Sequence, residues 1–572
     1  MRIGIGLLLL ATTAAAFEKL SPFTEVVIDG ADVTVQFQGK PYRLKEIAGL
    51  PVADVLAFCD KTYGRRAHKR FAEDLVEVLA GMQRKPGRTV ALVLEDPKTG
   101  KLETIAVAPM THANRQQVLD KRRRAERRPR PFDARGARKD LAELIETIEK
   151  RHSYRFVRPE GLAALRWDDM PETVTREQFG RHVLRALAKF GDGHTRLRQR
   201  RAYLAKGYLP ILTRPCGERV VAIEADGKRF VSEKHPYLTA IDGVPIAKWI
   251  EATGAWVAHG SKTFRFAQGV RDLAYLAALR EELGVKPRRD VELTLSDGQK
   301  STKVRRDLTA RLAFGPYGER TPGLLTGDIG YLPITKMDGD VDWLLRLMHA
   351  FSALQGSKGL IIDVRGNGGG TRDALKMLLP FFLDDEPRVC NVAVLRMDRT
   401  DREGTLEGHL QNRSLYLPTA KLWTDAERAA IAKFAKSFKP AFDPPRAKFT
   451  DWHYMVVSPR DVKRRYKQRV VILMDEGCFS ATDIFLGAFR GLPRVTLLGM
   501  PSGGGSGRSR GVDLRRTGLR LRVSSMMSFR PTGQLYDGVG IQPDKRVEPV
   551  PTDLIRRTDT QLDAAVNLLA QR

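Results

Sequence analysis

The sequence predicts a multidomain α/β protein, and three observations support this prediction. With 572 residues, the chain has room for about three to four domains of roughly 150 residues each. Hydrophobic residues make up 42% and charged residues 29%, which is typical of globular proteins and excludes fibrous or wholly disordered classes. From Gly327 onward, apolar strand-like runs alternate with helix-like segments, as in a sheet covered by helices.

Composition shifts and apolar periodicity divide the chain into segments. The predicted order is a signal peptide (1–16), a small α+β domain of unknown role (17–118), a basic linker (119–136), a helical segment (137–200), a β-rich module (201–310), an α/β core (325–552) with an insertion (396–468), and a C-terminal helix (553–572).

The first residues have the pattern of a secretory signal. Met1 and Arg2 precede an apolar stretch over 3–11, and alanines at 14–16 precede Phe17. We therefore expect a mature protein that starts at Phe17 and is exported, either to the periplasm or into the medium. A buried first helix is the alternative explanation. No later run of about eighteen apolar residues predicts a membrane span.

The N-terminal domain and the linker follow. Val33, Val35 and Phe37 share one face of a predicted strand, and we identify no chemistry in this domain. The next stretch is basic and contains Pro129 and Pro131, which resist helix formation, so we expect an irregular linker there.

The helical segment ends in a motif with chemical potential. Leu141, Leu144 and Ile148 recur at helix spacing, and a second helical run ends at Gly-Asp-Gly-His-Thr, residues 191–195. The pattern predicts that a helix presents His194 at its C-terminal turn. A lone histidine at such a place is commonly a helix cap.

The remaining segments are predicted from strand and helix patterns. The β-rich module contains apolar runs at 219–223, 237–241 and 291–295. In the core, strands are expected at 329–334, 360–364, 389–395, 470–474 and 495–498, and helices at 341–354, 373–382 and 480–489. The insertion is irregular and basic, with one helix at 425–438.

Charge and cysteine content limit the partners and cross-links. Lys and Arg total 97 against 68 Asp and Glu, a formal net charge of +29, which favours association with anionic surfaces. The basic residues are spread along the chain, so a solvated surface explains them and no specific nucleic-acid partner is expected. The cysteines allow up to two disulfides or free buried thiols; they are Cys59, Cys216, Cys390 and Cys478.

Residues 470–484 combine a buried strand, a tight turn and a helix that opens at Ser480. At a helix start, backbone N–H groups lack intrahelical partners and can bind a developing oxyanion. Serine is also a favoured N-cap, so a structural role is the competing explanation. Cys478 precedes the helix and is interpreted as a buried thiol rather than a nucleophile.

Residues 360–371 form a second strand followed by a glycine-rich turn, whose backbone can approach a ligand closely. A tight strand-to-helix turn and a dinucleotide loop, with Asp398 as the ribose-binding acid, are the alternatives. Thr371 breaks the dinucleotide spacing, and Asp363 would place negative charge near phosphate. The sequence contains no His-Glu-x-x-His and no Cys-x-x-Cys, so neither a metal nor a cofactor is expected.

Taken together, these motifs resemble a known family. The segments 359–370, 480–484 and 538–544 resemble, in order and spacing, the core of the tail-specific (C-terminal processing) and tricorn-like serine peptidases. The motif at 191–195 resembles the place where the tricorn-like branch carries its base. The resemblance spans roughly residues 140–548 and implies a peptidase core with a mixed ββα-type sheet flanked by helices.

The resemblance implies roles for individual residues. Ser480 would be the nucleophile and His194 the base, with Asp537 at the place of a glutamate in the tricorn-like branch. The oxyanion hole would consist of the backbone N–H of Ala481 and that of Gly369 or Gly370. Gly505 stands where the tail-specific branch has a lysine, which excludes a Ser-Lys dyad. Residues 238–246 resemble part of a PDZ-type module.

The resemblance therefore implies an exported serine endopeptidase that forms an acyl-enzyme and acts on peptides or unfolded proteins. Two other functions remain as alternatives. One is a catalytically inactive, peptidase-like protein that binds peptides through the PDZ-type module. The other is a basic protein that binds nucleic acid or an anionic envelope polymer.

Overall fold

The computed structural model describes residues 18–84, 87–127, 133–258, 260–313, 320–397, 410, 413–459 and 465–571. The chain divides into two compact units, Met1–Arg130 and Pro131–Arg572. The predicted signal peptide, Phe17, Pro129, Pro131 and Asp398 lie outside the described residues. Among the residues that are described, no helix is long and apolar enough to cross a membrane.

The first unit is a sheet packed with helices. Its sheet has the order β1-β2-β3-β5-β6, with β4 on β3. Val33, Val35 and Phe37 are buried on one face of β2, because alternate strand residues point to the same side. The elements are β1 (Glu25–Asp29), β2 (Asp32–Phe37), β3 (Lys40–Ile47), β4 (Leu50–Pro51), α1 (Val52–Tyr63), α2 (Ala67–Glu73), α3 (Leu75–Gly81), β5 (Thr89–Glu95), β6 (Leu102–Pro109) and α4 (His112–Arg127).

The expected irregular linker is wrong over much of its length. Helix α4 continues to Arg127, and the next helix begins at Ala134. Arginine and lysine are good helix formers, so a basic run does not by itself prevent a helix. In the next helix, the Asp133 carboxylate accepts a hydrogen bond from the Gly136 N–H at 2.5 Å and caps the first turn.

The second unit begins with helices and a short strand: α5 (Ala134–Arg151), α6 (Glu160–Leu165), α7 (Arg176–Ala188) and β7 (Arg196–Leu197). A capping box between Thr175 and Gln178 starts α7. The predicted position of His194 on the last helical turn is wrong. Helix α7 ends at Ala188, and His194 lies beyond it in a turn before β7, because the glycines of the motif do not continue a helix.

The β-rich module forms its own sheet with the order β13-β12-β10-β9-β8, and β11 pairs with β10. Helices cover it, which the sequence pattern had not indicated. The elements are β8 (Leu212–Cys216), β9 (Arg219–Ile223), β10 (Tyr237–Ile241), β11 (Val244–Pro245), α8 (Ile246–Thr253), α9 (Lys262–Asp272), α10 (Leu276–Leu283), β12 (Asp290–Ser296) and β13 (Ser301–Asp307).

The core contains the predicted alternation of strands and helices. Its elements as far as β20 are β14 (Gly323–Leu325), β15 (Ile329–Pro333), α11 (Val341–Leu354), β16 (Gly359–Asp363), α12 (Asp373–Leu378), β17 (Arg388–Leu395), α13 (Asp425–Ser437), β18 (His453–Val457), β19 (Arg469–Met474), α14 (Ala481–Phe489) and β20 (Val495–Gly499).

The C-terminal part adds β21 (Ser509–Asp513), β22 (Arg520–Ser524), β23 (Met526–Phe529), β24 (Lys545–Arg546), α15 (Pro551–Leu554) and α16 (Thr560–Ala570). The main sheet has the order β14-β15-β16-β19-β20-β24, and its strands from β15 to β24 are parallel. The C-terminal segment forms two helices rather than the single predicted one. The prediction of a mixed α/β multidomain fold is confirmed.

Two smaller sheets flank the main one. Strand β17 pairs with β18 and β23, and β22 pairs with both β21 and β7. The insertion is therefore not wholly irregular, since it supplies β18 as well as α13. Pairing between distant strands is decided by tertiary packing, which the local pattern does not encode.

All four cysteines are free and buried. The sequence left open whether the cysteines form disulfides or stay as free buried thiols, and the structure has free buried thiols. The Cys478 thiol donates a hydrogen bond to the Val364 carbonyl at 3.0 Å, and burial raises its pKa well above the ordinary value.

Candidate active site

The two motif loops meet at one edge of the main sheet. Strands β16 and β19 are parallel neighbours, with Asp363 opposite Leu473 near their ends. Because the carboxyl ends of parallel strands lie at the same edge, the glycine-rich loop and the loop before α14 are brought together. The Phe479 N–H donates to the Asn367 carbonyl at 3.0 Å and joins the two loops directly.

Ser480 occupies the N-cap of α14 in a strained backbone conformation, with φ of 62° and ψ of −115°. A positive φ is rare for a residue with a side chain and costs free energy, so the surrounding loops must hold it in place. The Ser480 side chain makes no capping hydrogen bond to the helix. The alternative explanation, that this serine serves to cap the helix with its hydroxyl group, is therefore not supported.

His194 lies directly against this serine. Its Nε2 atom is 3.1 Å from the Ser480 Oγ, although 286 positions separate the two residues in sequence. The imidazole stacks on the Phe479 ring with centroids 5.1 Å apart, which restrains its orientation. The contact has the geometry of a serine and a general base within hydrogen-bond reach.

The electrostatic surroundings keep the His194 ring neutral. Burial among protein atoms lowers the pKa of His194 to about 4, even though the residue remains partly accessible to solvent. The negative charge of Asp192 acts in the opposite direction, and the positive charges of Arg196, Arg413 and Arg522 lower the pKa further. A neutral imidazole is the form that can accept a proton.

Asp192, from the same motif, anchors the His194 turn. Its Oδ1 atom accepts the N–H groups of His194 at 3.0 Å and Thr195 at 2.7 Å, as well as the Ser524 hydroxyl. Its Oδ2 atom lies 3.1 Å from the Nε2 of the fully buried His152. Burial alone would raise the pKa of Asp192, but these hydrogen bonds hold it below its ordinary value. The sequence reasoning missed this role, although the aspartate is part of the motif.

Asp537 lies near the imidazole but does not hydrogen-bond to it. Its Oδ2 atom accepts from the Tyr154 hydroxyl at 2.5 Å and from the Ser506 N–H at 3.0 Å. Its Oδ1 atom is buried without a partner among the described residues. The expectation that Asp537 holds the imidazole through a hydrogen bond is therefore not met, which agrees with its side chain being shorter than glutamate.

The three groups nevertheless converge, since ligand atoms of Asp192, His194 and Asp537 lie within 4.8 Å of one another. Burial, followed by the negative charge of Asp192, raises the pKa of Asp537 well above its ordinary value. Such spacing could hold a metal ion, but both Asp192 oxygens already accept hydrogen bonds from protein groups. The Asp192 carboxylate is therefore already engaged within the protein, whereas one oxygen of Asp537 has no partner among the described residues.

The glycine-rich loop presses against the serine turn. A Cβ atom on Gly369 would lie 2.7 Å from the Ser480 Cβ and 2.9 Å from the Ala481 nitrogen. The Gly369 N–H is already used, because it donates to the Asn367 Oδ1 at 2.9 Å. In the described part of the chain, the N–H groups of Gly370 and Ala481 donate to no protein acceptor. Two donors thus remain for a ligand next to Ser480.

The position of the lysine in the tail-specific branch is closed to a side chain. A Cβ atom on Gly505 would lie 2.1 Å from the Phe479 ring. The Gly505 N–H donates to the Oδ2 of Asp483 at 3.0 Å, so the backbone here is also fixed. The ring that stacks on His194 fills the space where a lysine stem would run.

A cavity of about 2390 Å³ opens beside these loops. Gly193, Gly368 and Phe479 line it, whereas Ser480 and His194 do not. Its wall therefore reaches the immediate neighbours of both residues. It is large enough to receive an extended peptide segment, since ligand pockets for small molecules occupy about 300–1,000 Å³.

The comparisons agree with this geometry. Residues 328–547 match the model of peptidase family S41. The structure of mature CPAF complexed with lactacystin is similar at 15% identity and a TM-score of 0.52, covering 76% of this chain and 97% of that one. The structure of mature CPAF is similar at 14% identity and a TM-score of 0.51, covering 76% and 96%. No curated protein matches the sequence.

A further likeness is to the photosystem II D1 C-terminal processing protease, at 14% identity and a TM-score of 0.38, covering 76% of this chain and 97% of that one. The class of protein follows from the fold and the matched core: the chain is a serine-type peptidase. The match to family S41 covers residues 328–547, the part of the chain that contains the glycine-rich and serine motifs. The predicted PDZ-like module and the domain boundaries stay predictions.

Proposed function

We propose that the protein is an exported serine endopeptidase in which Ser480 is the nucleophile and His194 the general base. The observation that supports this assignment is the 3.1 Å contact between the His194 Nε2 and the Ser480 Oγ. It involves a serine whose side chain makes no capping hydrogen bond and a histidine whose lowered pKa keeps it neutral. Both conditions are those a serine and its base require.

In this mechanism, the Ser480 Oγ attacks the carbonyl carbon of the scissile peptide while its proton passes to the His194 Nε2. The tetrahedral intermediate collapses when the imidazolium gives this proton to the leaving amine. Water then attacks the acyl-enzyme, again with His194 as base, and releases the second product. The substrates in this proposal are peptides or unfolded protein segments, which fit the open cavity beside the site.

For the oxyanion hole we favour the Gly370 N–H together with the Ala481 N–H. Both lack protein acceptors in the described part of the chain, whereas the Gly369 N–H is held by Asn367. Gly369 is then needed for a steric reason, because only a residue without a side chain lets the loop approach Ser480 this closely. Each such donor is worth roughly 3–4 kcal/mol in the transition state of comparable enzymes.

The charge that balances the imidazolium is assigned to Asp192. Its carboxylate is held ionised by hydrogen bonds, and it also fixes the backbone of the His194 turn. Asp537 stands at the third position that the resemblance implies, with its carboxyl group close to the ring. Its Oδ1 atom has no partner among the described residues. Burial and the negative charge of Asp192 raise the pKa of Asp537, which makes it the less suitable of the two carboxyl groups to balance the imidazolium.

Export to the periplasm or the medium rests on the signal pattern at the N-terminus. Association with an anionic envelope surface rests on the net charge of +29. Fusion of residues 1–20 to a reporter enzyme tests export, since the reporter should leave the cytoplasm only when the apolar stretch is intact.

The test of the catalytic assignment is labelling with a fluorophosphonate, which reacts with activated serines, followed by mapping of the adduct by mass spectrometry. We expect labelling at Ser480, and its loss in Ser480→Ala and His194→Ala. The matched control is His235→Ala, because His235 lies in a turn with Ser232 and takes no part in the site. A folded protein that is not labelled would instead favour the inactive, peptide-binding alternative.

A further inference from the structure

Three arginines from separate parts of the chain surround the proposed reaction centre. Arg196 lies on β7, Arg413 in the insertion and Arg522 on β22. Arg196 and Arg522 are directly opposite each other in the pairing of β7 with β22. Like charges at directly opposite positions destabilise a sheet, so this pair has a cost that the fold itself does not explain.

None of the three forms a salt bridge with a carboxylate among the described residues. Arg522 donates from Nε to the Ser509 hydroxyl at 2.7 Å and from Nη2 to the Ser509 carbonyl at 2.9 Å. Arg413 donates to the Gly370 carbonyl at 3.3 Å. Elsewhere in the same unit, some arginines do have acidic partners. Arg280, for example, donates to the Asp242 carboxylate at 2.7 Å.

The positions of these arginines relative to the site are fixed by several contacts. Arg413 is bonded to the carbonyl of Gly370, in the loop that presses against Ser480. Arg196 is two residues from His194, and Arg522 is its cross-strand partner. All three charges lower the pKa of His194, which agrees with their closeness to its ring.

The excess of positive charge continues along the cavity. Arg196 lines it, and so do Arg198, Arg200 and Arg271. Of these, Arg200 is neutralised by Asp272 at 2.7 Å. Carboxylates are also present, since Asp475 and Glu476 line the same space. Of the three arginines near His194, Arg196 is the one that lines this cavity.

Resting on the function proposed above, we propose that this arginine cluster, Arg196, Arg413 and Arg522, selects substrates with acidic side chains next to the scissile bond. Guanidinium groups bind carboxylates through paired, charge-assisted hydrogen bonds. An aspartate or glutamate there would relieve the repulsion between Arg196 and Arg522. The same carboxylate chemistry could come from the free C-terminus of a peptide, so the experiment must separate the two sources.

The test uses internally quenched peptides with one scissile sequence, flanked by Asp and Glu or by Asn and Gln, each with an amidated or a free C-terminus. For the amidated set we expect kcat/KM to be about tenfold or more higher with the acidic flanks at low salt, because complementary charge raises encounter rates and salt screens it. Raising the ionic strength should reduce this ratio.

The matched variants are Arg196→Gln, Arg413→Gln and Arg522→Gln. Each should reduce the acidic preference by up to about fivefold, the range expected for one accessible ion pair. The control is Arg305→Gln, since Arg305 lies on the exposed strand β13 and donates to Glu292 of β12. Its acidic preference should equal that of the wild type.

Labelling of Ser480 by the fluorophosphonate is measured in every variant and reports an intact site independently of the peptide. Labelling without any acidic preference would overturn this inference while leaving the proposed function standing. A preference seen only with a free C-terminus would overturn the assignment to side chains. If the wild-type protein is not labelled at Ser480, both proposals are wrong.

Discussion

Substituting Gly369 by alanine should abolish most of the activity while leaving the fold intact. The added Cβ would lie 2.5 Å from the Phe479 carbonyl oxygen and 2.7 Å from the Ser480 Cβ. Both atoms belong to the turn that presents the proposed nucleophile, Ser480. In addition, the φ of Gly369 is +96°, a conformation that alanine rarely adopts.

The magnitude follows from these contacts. Backbone strain of this kind costs on the order of 1–3 kcal/mol, which a domain of this size can absorb. The displaced loop would also carry the Gly370 N–H away from the proposed oxyanion hole. Loss of one such donor costs about 2.7–4 kcal/mol, so kcat should fall by roughly 10²–10³. KM should change little, because the donor acts mainly in the transition state.

Gly368→Ala is the matched control. No atom lies within 4 Å of a Cβ placed there, so the loop should not move. We would measure kcat and KM on a quenched peptide, the rate of fluorophosphonate labelling, and the thermal unfolding temperature of both variants. Gly368→Ala should keep kcat within about twofold of the wild type. If Gly369→Ala unfolds like the wild type and also keeps its kcat, the argument from loop contact is wrong.

Three further predictions concern titration and thiols. Because the pKa of His194 is lowered to about 4, the neutral base persists as the pH falls below 6.5; an acid limb of kcat/KM centred near 6.5 would contradict this. Asp192→Asn should reduce kcat more than Asp537→Asn, since hydrogen bonds hold the pKa of Asp192 low whereas burial raises that of Asp537; equal or reversed losses in steady-state kinetics would restore Asp537 as the principal acid. The native protein should not react with Ellman's reagent, because all four cysteines, Cys478 among them, are buried; rapid reaction before denaturation would refute the burial.

The alternation of strands and helices in the core could be predicted because each buried strand reads as an apolar run and each helix as a 3.6-residue pattern. The serine and glycine loops were identified because motif residues are contiguous in sequence. Which sheet β17 joins could not be predicted, since its partners β18 and β23 lie far along the chain and any apolar strand looks the same locally.

The site was only partly predictable for a similar reason. Ser480 and His194 could be paired through the resemblance, and the structure places them in contact. Neither the stacking of Phe479 on His194 nor the position of Arg413 beside Gly370 leaves a signal in the sequence. Asp192 did have one, its place within the motif. The hydrogen bonds that define its role, however, come from residues as distant as Ser524.

The pairing of β7 with β22 has a consequence for how this enzyme can be divided. Strand β22 lies within the matched peptidase core, whereas β7 lies outside it and follows shortly after His194. Helix α5 is also joined to the hairpin of β21 and β22, because the Thr517 N–H donates to the Asp140 carboxylate at 2.7 Å. A fragment limited to residues 328–547 would carry the proposed nucleophile without the proposed base and would leave β22 without its partner strand β7. Residues 328–547 and the part of the chain that contains His194 should therefore behave as a split enzyme, active only when the two fragments reassemble. The core fragment expressed by itself should be inactive.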